Sequence, residues 1–426
     1  MDYDVVIIGS GISGLYAAVE MLKTHPKLRI AVYEKYKFLG GRTFTFHGTT
    51  DGHPVQWEEG AGRISNKHTN VLSLLKQYGL TYSPIGPHVM YKASYETPAE
   101  PDTFEPAIPI MIEPLAALPA EELANSTIKK LLIKIHGAAA TEKYLTRFPY
   151  RAEVDTLRAD LALDVFRGEM GSHEGYGICV EGLSKLIECM RADFVKRGGT
   201  VFPHHEAVEV SDHRVVFRFG SPSDGPSREE KAVTSSIIVC ALPSAALARI
   251  KGLHTLPVLK HLQMKPLLRF YAVFPITKPM WYEKVGLTVT DTPVRYMIPG
   301  NPAQGTCQIS YTDSQDAQPL MKMIDDHGEK KTGEFILKEL RGLFDPKIPT
   351  PVLYKAHSWK EGTTYWLPGS YDPYKESAKS IHPMSDTMPS LYLCGESFSI
   401  RQAWMEGALE QTQQMLHVLR KKLSNL

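Results

Sequence analysis

The chain has 426 residues, a net charge of +1, 43% apolar and 22% charged residues. It is too long for one ordinary core and points to two domains, or to one with large insertions. The near-zero charge favours neither nucleic acid nor an anionic membrane as partner, and no apolar run is long enough to span a bilayer. Cys179, Cys189, Cys240, Cys307 and Cys394 are odd in number and lack metal-like spacing. They are expected as reduced thiols of a cytosolic protein without a metal site. The first strand begins almost at Met1, so no signal peptide is expected.

Val5-Val6-Ile7-Ile8 is an unbroken apolar run, the pattern of a strand buried on both faces of a parallel sheet. Gly9-Ser10-Gly11-Ile12-Ser13-Gly14 follows. Gly9 allows the tight turn, Gly11 lets a pyrophosphate approach the backbone, and Gly14 lets helix and strand pack closely. Leu15 to Leu22 has helical spacing, and the amides at its start suit an anion. Arg29 to Tyr33 is the return strand, and Glu34 stands where it can accept bonds from ribose hydroxyls. Strand, turn, helix, strand and acid together predict an adenine dinucleotide site.

From Pro84 to Pro119 the chain is proline-rich and reads as loops and short strands. Glu121 to His136 and Leu157 to Phe166 have helical periodicity. Gly175 to Cys179 leads through Gly182 into a helix from Leu183 to Val195. Thr200 to Phe202, Ala207 to Val210 and Val215 to Phe219 read as short strands, and polar Ser221 to Lys231 as a hairpin tip. Ile237 to Ala241, stopped by Pro243, is a second strand of the buried type. Leu267 to Phe274 and Gln308 to Tyr311 are further strands. Leu391 to Glu396 is a third buried strand, ending in Gly395-Glu396. The tail from Met415 to Leu426 reads as a surface helix. Its final Ser424-Asn425-Leu426 is faintly like a peroxisomal address, with Asn where a basic residue is wanted.

Three buried strands at the start, middle and end predict an α/β fold. Its doubly wound, Rossmann-like nucleotide domain is assembled from residues 1–85, 175–255 and 352–426. An α+β substrate domain would be built from residues 86–174 and 256–351. Ligands in such sheets lie beyond the carboxyl ends of the strands, where Gly9, Ala241 and Gly395 fall.

Beyond the first turn stand Leu39-Gly40-Gly41-Arg42, then Glu58-Glu59-Gly60-Ala61-Gly62-Arg63-Ile64, and finally Cys394-Gly395-Glu396 with Trp404-Met405-Glu406-Gly407-Ala408. Together these resemble the flavin-containing amine oxidase family, which includes monoamine, polyamine and L-amino-acid oxidases. The resemblance covers both ends of the chain well and the middle thinly. It implies FAD, held by Gly9, Gly11, Ile12, Ser13, Gly14, Glu34 and Lys35 at the ADP half. Gly41 and Arg42 would line the pyrophosphate and approach the flavin, Gly40, Gly60, Ala61, Gly62 and Arg63 would also bind the cofactor, and Val208 would meet adenine through its backbone. Gly395 and Glu396 would serve the ribityl-pyrophosphate region, and Met405 the flavin pyrimidine. Trp404 matches an aromatic ring standing against the flavin face, or else is core packing at the start of the last helix. Tyr365 or Trp366 would supply the opposite wall. The stretch that carries a flavin-bonded cysteine in some relatives has none here, so the FAD is expected to be non-covalent.

Two positions depart from the resemblance. Arg269 stands where many members place a lysine near flavin N5, and arginine is not its equivalent because it keeps its proton and presents a planar fork. Either Lys265 serves instead, or the N5 region works differently, or Arg269 is a structural ion-pair partner. Arg63 falls where L-amino-acid oxidases grip the substrate carboxylate, although it could instead contact FAD or Glu59. The activity implied is oxidation of a primary amine or L-amino acid to an imine, with hydride passing to flavin N5 and electrons to O2, giving hydrogen peroxide. The flavin carries the redox chemistry, so no strong protein base is required. The rivals are a flavin-dependent desaturase or ring oxidase, and a non-catalytic FAD-binding interaction module.

Overall fold

Alternation along the first strand decides how the nucleotide sheet is covered. The computed structural model describes residues 1–86, 88–93, 100–101, 113–168, 175–220 and 229–426. In it Tyr3–Ile8 is a strand whose last four residues are buried. Val5 and Ile7 pack with Ala18, Met21 and Leu22 of the helix Ile12–Thr24, and Val6 and Ile8 pack into the cluster on the other face. That is the double-sided burial an unbroken apolar strand requires.

Tyr3–Ile8 pairs in parallel with Ile30–Tyr33 on one side and with the second half of Glu230–Cys240 on the other. Thr200–Phe202 and Leu391–Leu393 complete a five-stranded parallel array. Ile8 lies opposite both Tyr33 and Cys240, Tyr33 opposite Phe202, and Cys240 opposite Leu393. The carboxyl ends are therefore level, and Gly9, Glu34, Ala241 and Gly395 all emerge on one edge. The first half of Glu230–Cys240 continues an antiparallel ribbon with Arg214–Phe219 and His205–Ser211.

A second sheet runs in the order Leu353–Trp366, Leu262–Val273, Thr306–Asp313, Tyr296–Pro299, Leu287–Thr290, Val89–Lys92, Glu100–Pro101. Leu268, Phe270 and Ala272 face the helical segment Ser314–Leu343 and pack with Ala317, Leu320, Ile336 and Leu340. Alternate residues Leu267 and Arg269 face the cavity between the sheets.

Some expectations change. Leu353–Trp366 pairs along its length with Leu262–Val273 and so belongs to the second sheet, which breaks the boundary expected at residue 352. The helix expected over Glu121 to His136 is two helices, Ala120–Ala124 and Ile128–His136, because the Thr127 hydroxyl accepts from the Lys130 amide and starts the second. The tail is not a superficial helix. Met405–Leu423 is continuous, and Met415, Leu419 and Leu423 are buried under the nucleotide sheet, each contributing roughly 1.5–3 kcal/mol. The segment Ser314–Leu343, interrupted at Gly328 (φ +81°), carries an apolar periodicity that the sequence reading passed over. Residues 221–228 of the expected hairpin tip, and residues 87, 94–99 and 102–112 of the proline-rich stretch, lie outside the described residues. All five cysteines are free, and four of them are buried.

Candidate active site

A cavity of about 1130 Å³ opens beyond the level strand ends and continues between the two sheets. It is larger than the roughly 300–1,000 Å³ of ordinary small-molecule sites, as a dinucleotide with a substrate beside it requires. Gly9, Gly11, Ile12, Ser13, Glu34 and Lys35 line it, as do Gly40, Gly41, Arg42 and Gly60 to Arg63. Val208, Arg269, Tyr365, Gly395, Glu396, Trp404 and Met405 complete the set of predicted residues that reach it. Gly14 and Trp366 are not among the lining residues.

The first turn is built for a close-lying ligand. Gly9 holds φ +101°, and a Cβ there would lie 2.6 Å from the Ala241 carbonyl oxygen. A Cβ at Gly14 would lie 2.0 Å from the Gly9 oxygen, so this glycine serves helix packing. Gly11 and Gly41 differ: the nearest atom to a Cβ is glycine backbone at 3.9 and 3.8 Å. These positions are bare toward the cavity, so a ligand can lie against the main chain. The helix Ile12–Thr24 has no side-chain cap at Gly11, which leaves first-turn amides for an anion. Buried Glu34 accepts from the Ser10 hydroxyl (2.7 Å) and amide (3.0 Å) and from the Tyr36 amide (3.0 Å), which fixes its carboxylate beside the turn. Val208 is the bulged residue where the pairing with Arg214–Phe219 slips between Ala207 and Glu209, and its carbonyl accepts from Lys251. Lys35 pairs with Glu206 at 2.8 Å. Bare glycines, open amides and a fixed acid fit an adenine dinucleotide.

Arg42 and Glu396 form the next wall. Glu396 Oε2 accepts from Arg42 (2.8 Å) and the Thr364 hydroxyl (3.0 Å), and Oε1 from the Thr364 (3.0 Å) and Ala403 (2.9 Å) amides. Each oxygen takes two donors, which fixes the carboxylate at the cavity wall. Arg42 also donates to the Gly362 carbonyl at 2.9 Å. Gly60 must be glycine, since a Cβ would sit 2.1 Å from the Arg42 oxygen. Of the two cations weighed for the N5 region, Arg269 lines the cavity and Lys265 does not. Arg269 Nη1 donates to the Glu58 carbonyl (2.9 Å) and meets the Tyr271 hydroxyl (3.3 Å), while its buried Nε has no partner. It makes no ion pair among the described residues, which removes that structural alternative. Beside it, burial pushes the Glu58 carboxyl up to about 7, against donors from Leu183 and Thr45.

The remaining lining is aromatic and charged. Trp404 stacks on Tyr176 (5.9 Å between ring centres, 26°) and meets His68 edge-on at 5.0 Å. The Arg63 guanidinium lies 5.8 Å from the same Tyr176 ring and 5.3 Å from Tyr150. No carboxylate lies within ion-pair distance of Arg63 among the described residues, so Glu59 is not its partner; Glu59 sits 3.3 Å from His357. Tyr365 faces the cavity and its hydroxyl donates to Glu153 Oε1 at 3.2 Å. Trp366 is wholly buried, with its indole N–H on the Ser399 carbonyl (2.9 Å), so its expected place in the slot falls to Tyr365.

The sequence reading missed Tyr150, Glu153, Tyr311 and Asp313, all of which line the cavity. The one available signal was a carboxylate between apolar neighbours, Ala152-Glu153-Val154, on the short helix Arg151–Asp155. Among the described residues no group of three His, Cys, Asp or Glu could hold a metal, and no helix is long and apolar enough to cross a membrane.

Comparison with known proteins agrees with this geometry. The family profile described as flavin containing amine oxidoreductase matches residues 12–414. An uncharacterized protein of Acanthamoeba polyphaga mimivirus is 21% identical over 98% of this chain and 93% of its own length. A putrescine oxidase variant superposes with a TM-score of 0.75 at 19% identity, covering 99% of both chains. Cyclohexylamine oxidase from Brevibacterium oxydans IH-35A does so with a TM-score of 0.74 at 18% identity, covering 100% of both.

Proposed function

Because the chain belongs to the flavin-containing amine oxidoreductase family, we propose that its cavity holds FAD without a covalent bond and oxidises the CH–NH group of a primary amine or L-amino acid. The observation that carries this reading is the continuity of the cavity. The dinucleotide cradle at Gly11, Glu34 and Gly41 and the aromatic chamber at Trp404 and Tyr365 are one space. When bound, the flavin would supply the redox chemistry that turns the CH–NH group into an imine, for hydrolysis to an aldehyde or keto acid plus ammonia, with O2 as the electron acceptor and hydrogen peroxide as its product.

The chain itself positions the reactants. First-turn amides and Arg42 offset the pyrophosphate charge. Trp404, steadied by Tyr176 and His68, forms one wall of the chamber and Tyr365 another; their π-faces stabilise a waiting ammonium. Arg63, without a carboxylate partner among the described residues, is the natural fork for a substrate carboxylate. No cysteine lines the cavity among the described residues, which supports a non-covalent cofactor.

The test is the visible spectrum of the purified yellow protein. Anaerobic bleaching by monoamines, diamines or L-amino acids, followed by peroxide release in air, is the expected result. A flavin that stays oxidised against the whole panel points to the interaction-module alternative. A colourless protein that refuses FAD overturns the reading altogether.

A further inference from the structure

Pro266 interrupts the pairing of the two longest strands of the second sheet, Leu262–Val273 and Leu353–Trp366. It has no amide to give the ladder, and the register slips there. Lys265 lies opposite Thr363 and Leu267 opposite Trp359, which leaves Lys360, Glu361 and Gly362 bulged out against one residue. Gly362 is needed where the bulge returns, since a Cβ there would stand 2.7 Å from the Leu267 Cβ. All three bulged residues line the cavity.

The bulge is tied on both sides. The Gly362 carbonyl accepts from Arg42 at 2.9 Å. Glu361 takes both arms of the Arg249 guanidinium, Nη1 at 2.6 Å and Nη2 at 2.7 Å. Arg249 follows the short helix Ser244–Leu247 after the nucleotide strand Glu230–Cys240, and it lines the same cavity. Lys35 and Glu206, themselves paired at 2.8 Å, line it too. Arg249, and less strongly Lys35, hold the Glu361 carboxyl below its ordinary range. Four charges of alternating sign thus rim this stretch, and Glu361 is the one of the four that the second sheet supplies. The Arg249 and Glu361 side chains are 63% and 37% exposed, so salt screens the pair and its opening is cheap.

We infer that residues 360–362 form a strap over the dinucleotide cradle, that the Arg249–Glu361 pair is its releasable tie, and that FAD enters and leaves only when this tie opens. This rests on the FAD-binding reading above and is independent of which amine is oxidised. A tie between two parts of the protein has a kinetic signature of its own. Weakening it enlarges the open population of the free and the loaded protein alike, so FAD association and dissociation speed up together while Kd holds. A lost contact to the cofactor raises dissociation alone.

The experiment follows flavin fluorescence during FAD uptake by the stripped protein and during FAD release. It compares the wild type, Arg249→Glu, Glu361→Arg and the double swap. Each single reversal is expected to raise both rates about 3–10-fold, and the double swap to bring both back to within about twofold of the wild type. Added salt is expected to speed release from the wild type and not from Glu361→Gln. Unchanged rates in the single reversals, or dissociation rising alone, overturns the strap. If the protein takes up no FAD, the cofactor reading fails, and trypsin cleavage after exposed Lys360 in the cofactor-free protein still decides the tie. Arg249→Glu is then expected to be cut there about threefold faster or more than the wild type, and equal cutting refutes the tie.

Discussion

Arg42 and Glu396, drawn from opposite ends of the chain, meet in an ion pair of 2.8 Å at the cavity wall. Removing one partner of such a pair strands the other, because Glu396 is only 8% exposed while its remaining donors come from Thr364 and Ala403. Arg42→Ala is expected to weaken FAD binding at least about tenfold, with Arg42→Lys recovering part of the loss. Fluorescence titration of the stripped protein with FAD checks this; unchanged affinity in Arg42→Ala removes Arg42 from the cradle.

Gly11 and Gly14 separate cofactor fit from folding. A Cβ at Gly14 would collide with the Gly9 oxygen, so Gly14→Ala is expected to destabilise the protein by about 1–3 kcal/mol or more. A Cβ at Gly11 meets nothing closer than 3.9 Å within the chain, so Gly11→Ala should leave the cofactor-free melting temperature within a few degrees and still impair FAD binding. Equal thermal losses in the two variants would contradict the assignment.

Arg63 tests the carboxylate fork. Arg63→Ala is expected to lower kcat/KM for L-amino acids by about 10²-fold, while simple amines lose far less. An equal loss for both classes means that Arg63 serves the flavin or the chamber and not the carboxylate.

Buried acids give stability a definite pH slope. Glu58 and Glu153, raised to about 7, and Asp313, raised further, hold protons in the folded state at pH values where the unfolded chain has released them. Their contribution is full below the ordinary carboxylate range and is lost as pH rises through about 7. The melting temperature of the cofactor-free protein should therefore fall over that interval, and Glu58→Gln should flatten part of the fall. A melting temperature that rises between pH 5 and pH 7 would refute this.

The nucleotide half was legible because its physics is local. An apolar strand, three glycines and an acid lie within 34 residues, and each constraint acts on near neighbours. The chamber was not legible. Glu153 on a five-residue helix and Asp313 at a strand end are 160 residues apart, and only the packing of the second sheet brings them together. Tyr365 and Trp366 are adjacent, so period-2 alternation sends one to the cavity and the other to the core, and without the strand's register the sequence cannot say which. Met415, Leu419 and Leu423 show the same limit, since a basic amphipathic tail looks alike whether its apolar stripe meets a sheet or lies open.

The parallel array closes with Leu391–Leu393, laid beside Ile238 to Cys240, and the residues that finish the cradle, Gly395, Glu396 and Met405, come after it. During synthesis the nascent nucleotide sheet therefore waits with an unsealed apolar edge until these segments leave the ribosome. Cofactor capture must then wait until residues 391–405 have emerged, and chains stalled before residue 391 would be clients for chaperones and proteases, whatever the cellular supply of flavin.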